Sequence, residues 1–248
     1  MKTFIHEAAK KIKESRHTIA LTGAGISVES GIPPFRGKGS LWEKYDPTKY
    51  AEINYFLKNP GEVWEIFLKD MKKTLEKAKP NAGHTGLADL EKKGLLSTII
   101  TQNIDGLHQR AGSSDVIEFH GSFAKFYCLE CSNIIDVENI NIEKMPPRCE
   151  KCNGIYRPDC VFFGEMIPAD CLSRSSQEAS QSDVILVIGT SALVQPAASI
   201  PSIAKTSGAC VIEINPEPTP LTNGVADITL NGGAGKIISL IIEEINRL

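Results

Sequence analysis

Residues 17–22 read HTIALT and run straight into GAGIS at 23–27. The first stretch is a short run of β-branched and apolar residues with no polar alternation, the pattern of a strand buried on both faces. The second supplies glycines where a strand turns toward a helix, so that backbone N–H groups can approach an anionic group. The usual dinucleotide fingerprint has a third glycine, and here Val28 stands in its place. The next clear strand begins only near residue 97, too far along for a unit of about 30 residues carrying a ribose-binding acid. The loop alone therefore reads equally as a nucleotide site or a tight turn, and an ordinary dehydrogenase is disfavoured.

Outward from this stretch, further strands are expected at 97–101 (STIIT), 115–119 (DVIEF), 183–188 (DVILVI) and 210–214 (CVIEI). Helical periodicity is expected over 3–16, 60–78, 82–93, 196–206 and 234–247, and a Pro/Gly-rich loop over 32–48. In 60–78, Val63, Ile66, Phe67 and Met71 are expected on one face and lysines on the other. Apolar strands alternating with helices predict an α/β fold with a parallel sheet covered on both faces. Ligands of such sheets bind at the carboxyl ends of the strands. GAGIS, TQNID (101–105), FHGS (119–122), GTS (189–191) and NPE (215–217) are thus expected around one crevice.

The chain has 248 residues and a formal net charge of -3, which disfavours a general nucleic-acid or membrane-surface binder. The N-terminal stretch is charged, and no apolar run approaches a membrane span. Seven cysteines cannot all pair internally. Four of them form Cys128-x2-Cys131 and Cys149-x2-Cys152, separated by 17 residues. This spacing predicts a closed four-thiolate zinc site with no position open to water, hence a structural one. A reducing, cytoplasmic setting follows. Acidic residues among the bases of 122–157 argue against a nucleic-acid-gripping ribbon.

His120, at a strand end before a glycine, reads either as a general base or as a hydrogen-bonded structural residue. His84 is expected to cap or pack a helix, His108 to do either, and His6 and His17 to be solvated. Asn103 and Asp105 offer an amide and a carboxylate beside the crevice, or a turn-stabilising pair.

GAGIS, SGIPPFRG (30–37), TQNIDGLHQRAG (101–112), FHGS, the two CxxC pairs, VFFGE (161–165), GTS and INPEPT (214–219) occur together, in this order, from residue 20 to about 235. As a set they resemble the sirtuin family of NAD-dependent protein deacylases. The resemblance implies a Rossmann-like doubly wound parallel sheet (1–121 and 158–248), a helical insert (40–80) and a small inserted zinc-ribbon module (122–157). It implies NAD contacts at Gly23, Ala24, Gly25, Phe35, Arg36, Gln102, Gly189, Thr190, Ser191, Asn215, Glu217 and Ala234. It also implies a nicotinamide pocket at Asn103, Ile104 and Asp105, with Asn103 and Asp105 joining His120 in catalysis and His120 as the general base. Val161, Phe162, Phe163 and Gly164 would form the wall and strand edge that pair with an acyl-lysine peptide. Zinc would sit on Cys128, Cys131, Cys149 and Cys152.

The implied activity is NAD-dependent protein-lysine deacetylation by a monomer acting on acetylated-lysine proteins, without nucleic acid or membrane. NAD is consumed to give free lysine, nicotinamide and O-acetyl-ADP-ribose. Alternatives are a mono-ADP-ribosyltransferase, a deacylase for other acyl groups, and a non-catalytic NAD-sensing or DNA-binding zinc protein. Two departures stand out. Pro34 replaces the family's usual aspartate. The stretch Trp64-Glu-Ile-Phe67-Leu-Lys-Asp70 lacks the Tyr-x-x-Arg pair of members that remove acidic acyl groups, so a neutral acyl group is expected unless Lys69 or Lys72 substitutes. Cys160, next to the peptide segment, is expected to be the oxidation-sensitive thiol.

Overall fold

The structure, a computed structural model, describes residues 1–35 and 39–248. The expectation for Arg36 lies outside the described residues. The strands are β1 (Thr18–Thr22), β2 (Thr98–Thr101), β3 (Val116–Glu118), β4 (Gly121–Cys128), β5 (Ile134–Asp136), β6 (Tyr156–Cys160), β7 (Val184–Ile188), β8 (Cys210–Asn215) and β9 (Ile228–Asn231). The helices are α1 (Lys2–Glu14), α2 (Leu41–Lys44), α3 (Pro47–Tyr50), α4 (Ile53–Lys58), α5 (Pro60–Val63), α6 (Lys69–Lys77), α7 (Ala82–Lys92), α8 (Leu107–Ala111), α9 (Ala169–Gln181), α10 (Ile200–Thr206) and α11 (Ala234–Ile245).

Six strands form one parallel sheet in the order β3-β2-β1-β7-β8-β9. Along β1 the side chains alternate between layers. Ala20 joins the core under α1, α7 and α11, with Ile12, Leu87 and Ile238. Ile19 and Leu21 join the opposite core beneath α9 and α10, with Ala179 and Ile200. All five residues of β1 and of β7 are buried, which is why neither shows polar alternation. The chain runs outward from β1 to β3 on one side and from β7 to β9 on the other. The order reverses between β1 and β7, the position where such sheets open a ligand crevice.

A second, three-stranded antiparallel sheet, β5-β4-β6, carries the cysteine pairs. It shares one apolar core with α4, α5 and the segment after it: Phe56, Val63, Trp64, Phe67 and Leu68 pack with Phe123, Phe126, Tyr156 and Phe162. Trp64 is fully enclosed and donates its indole N–H to the Tyr156 carbonyl at 2.8 Å.

Two expectations are corrected here. The stretch 32–48 is not wholly loop, since it contains α2 and the start of α3; Asp46 caps α3 at Thr48 and Pro47 pre-sets its first turn. Between α5 and α6, Trp64–Leu68 winds as a π-helix, which inserts an extra residue per turn and rotates the buried face. Val63, Trp64, Phe67 and Leu68 face inward and Ile66 is exposed, while the expected outward Lys72 is buried and paired with Glu76.

Candidate active site

The loops after β1 and β7 meet backbone to backbone at the order reversal. Gly23 N–H donates to the Ile188 carbonyl at 3.0 Å, and Gly25 N–H to the Gly189 carbonyl at 2.8 Å. A Cβ on Gly25 would sit 2.6 Å from the Gly189 Cα, and Gly189 itself holds φ +59°. The glycines are thus required by contact between two strand-end loops, whatever else approaches them. This contact floors a cavity of about 1380 Å³. Such a volume exceeds the roughly 300–1,000 Å³ of a typical small-ligand pocket and leaves room for two substrates.

The predicted residues gather there in groups. Gly23, Ala24, Gly25, Phe35, Gln102, Asn103 and Ile104 line it, and so do Gly189, Thr190, Ser191, Asn215 and Glu217, which Gln102 reaches through a 3.0 Å bond to Thr190. His120 and Val161 through Gly164 line it as well, joined by the Val161 N–H bond to the His120 carbonyl at 2.9 Å. Asp105 instead lines an adjoining chamber of about 700 Å³, which shares Ala24, Phe35, Asn103 and Ile104 with the first. Ala234 is buried beside Gly233, which reaches the cavity edge.

Asn103 is held by its amide nitrogen, which donates to the Gly23 carbonyl at 3.1 Å and to Ser27 Oγ at 3.2 Å. Its buried Oδ1 has no partner among the described residues. Ser27 donates to Asp105 at 2.7 Å, while the other carboxylate oxygen of Asp105 accepts from Leu107 N–H at 2.9 Å. Behind them His84 caps α7: its Nδ1 accepts from Asn81 N–H at 3.3 Å, as expected from the sequence. His108 bonds Thr22 Oγ1 at 2.9 Å and faces His84 at 5.0 Å between ring centres. Burial pushes His84 down to about 4, partly offset by the Asp105 carboxylate, and burial together with His84 pushes His108 down to about 3. Both imidazoles are therefore neutral and serve packing and hydrogen bonding.

His120 is different because its ring reaches the cavity. Its Nδ1 lies 3.1 Å from the Gln102 carbonyl, which can only accept. Nδ1 therefore carries the proton and Nε2 is a free base. Burial lowers its pKa from the usual value, with the Gln102 bond opposing, so it stays ready to accept a proton at neutral pH.

The wall after β6 is braced from behind. Arg157, almost wholly buried, makes two bonds of 2.6 and 2.7 Å to the Glu165 carboxylate and one of 2.8 Å to the Cys160 carbonyl. Glu165 in turn accepts from Phe162 N–H at 2.8 Å. The Phe163 backbone is already bonded on both sides, to Ala51 (2.8 Å) and Ile53 (3.1 Å). Among the described residues, Gly164, Met166 and Leu193 are cavity-lining positions whose backbone groups have no backbone partner. Met166 is 92% exposed and Leu193 59%, and neither is singled out by the sequence. The signals that point to them are their places, just after VFFGE and just after GTS.

A family model described as the Sir2 family matches residues 23–196. The chain belongs to the Sir2 family. It is similar to NAD-dependent protein deacylase 1 of Archaeoglobus fulgidus, 47% identical over 240 residues covering 96% of both chains. It is also similar to the NAD-dependent protein deacylase of Pyrococcus furiosus, 46% identical over 247 residues covering 98% of both. Among solved structures, a Sir2 homolog–NAD complex superposes with a TM-score of 0.89 at 46% identity, covering 97% of this chain and 93% of that one. A Sir2–p53 peptide–NAD+ structure superposes at 0.86 with 37% identity, covering 98% of both.

The Sir2 chain's four cysteines come together as their spacing predicts. Their Sγ atoms all lie within 4.8 Å of one another, with Cys128 and Cys152 at 3.4 Å and Cys131 and Cys149 at 3.7 Å. Zn–S bonds of about 2.3 Å in a tetrahedron place sulfurs about 3.8 Å apart, so the set fits one zinc ion.

The expectations for several individual residues are refined. His17 is only part-exposed and its Nε2 lies 2.8 Å from the Glu178 carboxylate, while His6 is solvent-exposed as expected, with Nδ1 2.7 Å from Glu244. Lys69 and Lys72 pair with Glu65 and Glu76, and neither lines the cavity. The helix instead presents Leu68 and Met71, three residues apart, to it. Cys160 lines the cavity and is half-buried, and burial pushes its thiol up to about 12, which favours the less reactive protonated form.

Proposed function

We propose that this protein is an NAD-dependent protein-lysine deacetylase, with NAD consumed as a substrate. The observation that carries the reading is one cavity that joins a free imidazole base, the glycine contact at the sheet's reversal, and unpaired backbone groups at Gly164, Met166 and Leu193. The two faces of this cavity suit two substrates. The glycine loops with Phe35, Gln102, Ser191, Asn215, Glu217 and Ala234 take NAD; the segment Val161 to Gly164, continued through Met166, takes an extended peptide, whose main chain pairs without regard to sequence.

In this reading Asn103, Ile104 and Asp105 hold the nicotinamide ring. The acyl oxygen of the modified lysine attacks the ribose carbon, the bond to nicotinamide breaks, and nicotinamide leaves. His120 Nε2 then takes the proton of a ribose hydroxyl, whose oxygen attacks the former acyl carbon. Water completes release of free lysine and O-acetyl-ADP-ribose. Phe35, stacked on Trp42 at 5.2 Å, is placed to keep water from the reacting carbon. Cys128, Cys131, Cys149 and Cys152 would hold zinc, which would supply a structural cross-link for the small unit.

The apolar Leu68 and Met71, with Ile104 and Phe162, favour acetyl or another neutral acyl group. Free thiols support a cytoplasmic setting, and we read the acting species as a monomer. The test is incubation with labelled NAD and an acetyl-lysine peptide. Equimolar deacetylated peptide, nicotinamide and O-acetyl-ADP-ribose support the reading; label bound covalently to protein without acetyl dependence supports mono-ADP-ribosylation instead.

A further inference from the structure

Glu213, near the end of β8, is 1% exposed, yet its partners among the described residues are two hydroxyls and no cation. A carboxylate buried without a counter-ion is costly unless strong hydrogen bonds compensate it. Thr219 Oγ1 bonds one of its oxygens, and Thr222 Oγ1 bonds the other at 2.7 Å. The direction of these bonds is set. Thr219 Oγ1 accepts from Leu221 N–H at 3.1 Å and Thr222 Oγ1 accepts from Thr219 N–H at 2.9 Å, so each hydroxyl proton is left for the carboxylate.

The segment so held is Asn215-Pro216-Glu217-Pro218-Thr219-Pro220, every residue of which lines the large cavity. Three alternating prolines fix φ along it. Asn215 ties its start to the Thr190 carbonyl at 2.9 Å. Glu213 ties its far end from beneath, and its own side chain does not line the cavity.

We propose that Glu213 is a positioning residue for NAD. Clamping both ends of the 215–220 segment leaves a wall that needs no ordering when the cofactor binds, and pre-ordering lowers the cost of association. The inference rests on the reading that NAD lies against Asn215 and Glu217.

The experiment measures steady-state constants for E213Q and T222V, with N215A as the control for NAD placement. In E213Q the amide presents N–H where one hydroxyl proton now points, so one tether is lost with little change of volume. The expected result is a rise of about tenfold in KM for NAD, and an equal rise in the inhibition constant of ADP-ribose. KM for acetyl-peptide and the inhibition constant of nicotinamide stay near wild type. T222V, which keeps the carboxylate, shifts in the same direction by a smaller factor, and serves should E213Q not fold. Wild-type KM for NAD in either folded variant overturns the proposal. So do parallel losses in every constant, which would mark Glu213 as a general brace. An N215A enzyme with unchanged KM for NAD overturns it differently, by removing NAD from this segment.

Discussion

Acidification attacks this protein at the paired imidazoles of His84 and His108. Folded, they titrate at about 4 and about 3. Released from burial, each titrates near 6.5. Because both folded values are depressed, the unfolded chain binds protons first. The stability is fully present above about pH 6.5 and is lost as pH falls toward the folded values. Each histidine costs about 1.4 kcal/mol per pH unit across that window. Between pH 7 and pH 4.5 the pair together removes about 5 kcal/mol, a large share of a typical stability of about 5–15 kcal/mol. Urea unfolding at a series of pH values measures this slope directly. H108N, which removes one titrating ring, should flatten the slope by about 1.4 kcal/mol per pH unit, with His84 and His120 still contributing. NMR titration of the ring protons in the native protein provides the same information without unfolding. A native His108 titrating near 6.5, or an unchanged slope in H108N, would refute the reasoning.

Four further perturbations follow from the same geometry. Cys128→Ala should drop zinc to well below one ion per chain by metal analysis and unfold the β4–β6 unit, seen as fast amide exchange there, since structural zinc contributes its binding energy to folding. Trp64→Ala removes the largest fully buried side chain and its bond to Tyr156, and should cost about 3–5 kcal/mol in chemical denaturation with zinc retained. Met71→Arg places a guanidinium on the cavity wall, and should raise the succinyl-to-acetyl turnover ratio at least about tenfold in a peptide panel. The acid limb of kcat/KM should fall below the ordinary histidine value, because burial lowers His120.

Much of this architecture is legible before any coordinates. β1, β2 and β7 are runs of apolar and Thr residues because both faces of the sheet are covered, whereas a strand with one wet face would alternate; β8 shares the burial but carries Glu213. The cysteine spacing announces the metal cluster just as directly. What escapes pattern reading is set by tertiary context. α9 is rich in Ser and Gln and buries only Ser175 and Ala179, so no apolar stripe marks it. β9 is four residues long at the sheet's edge. The π-helical turn at Trp64–Leu68 shifts the buried face by a residue, which sequence periodicity cannot register. In the cavity, the residues that resemble family motifs come together with few exceptions, but the open backbone edge lies beyond Phe163. The reason is that residues 51–53, distant in sequence, already occupy the Phe163 backbone.

The central claim is that a neutral imidazole at residue 120 drives the step after NAD cleavage. His120→Ala tests it most directly, in a steady-state assay with acetyl-lysine peptide and NAD at about pH 7.5. Turnover should fall by roughly 10²–10⁴-fold or more, with zinc content, melting temperature and NAD binding unchanged. Near-normal deacetylation by that variant would contradict the account.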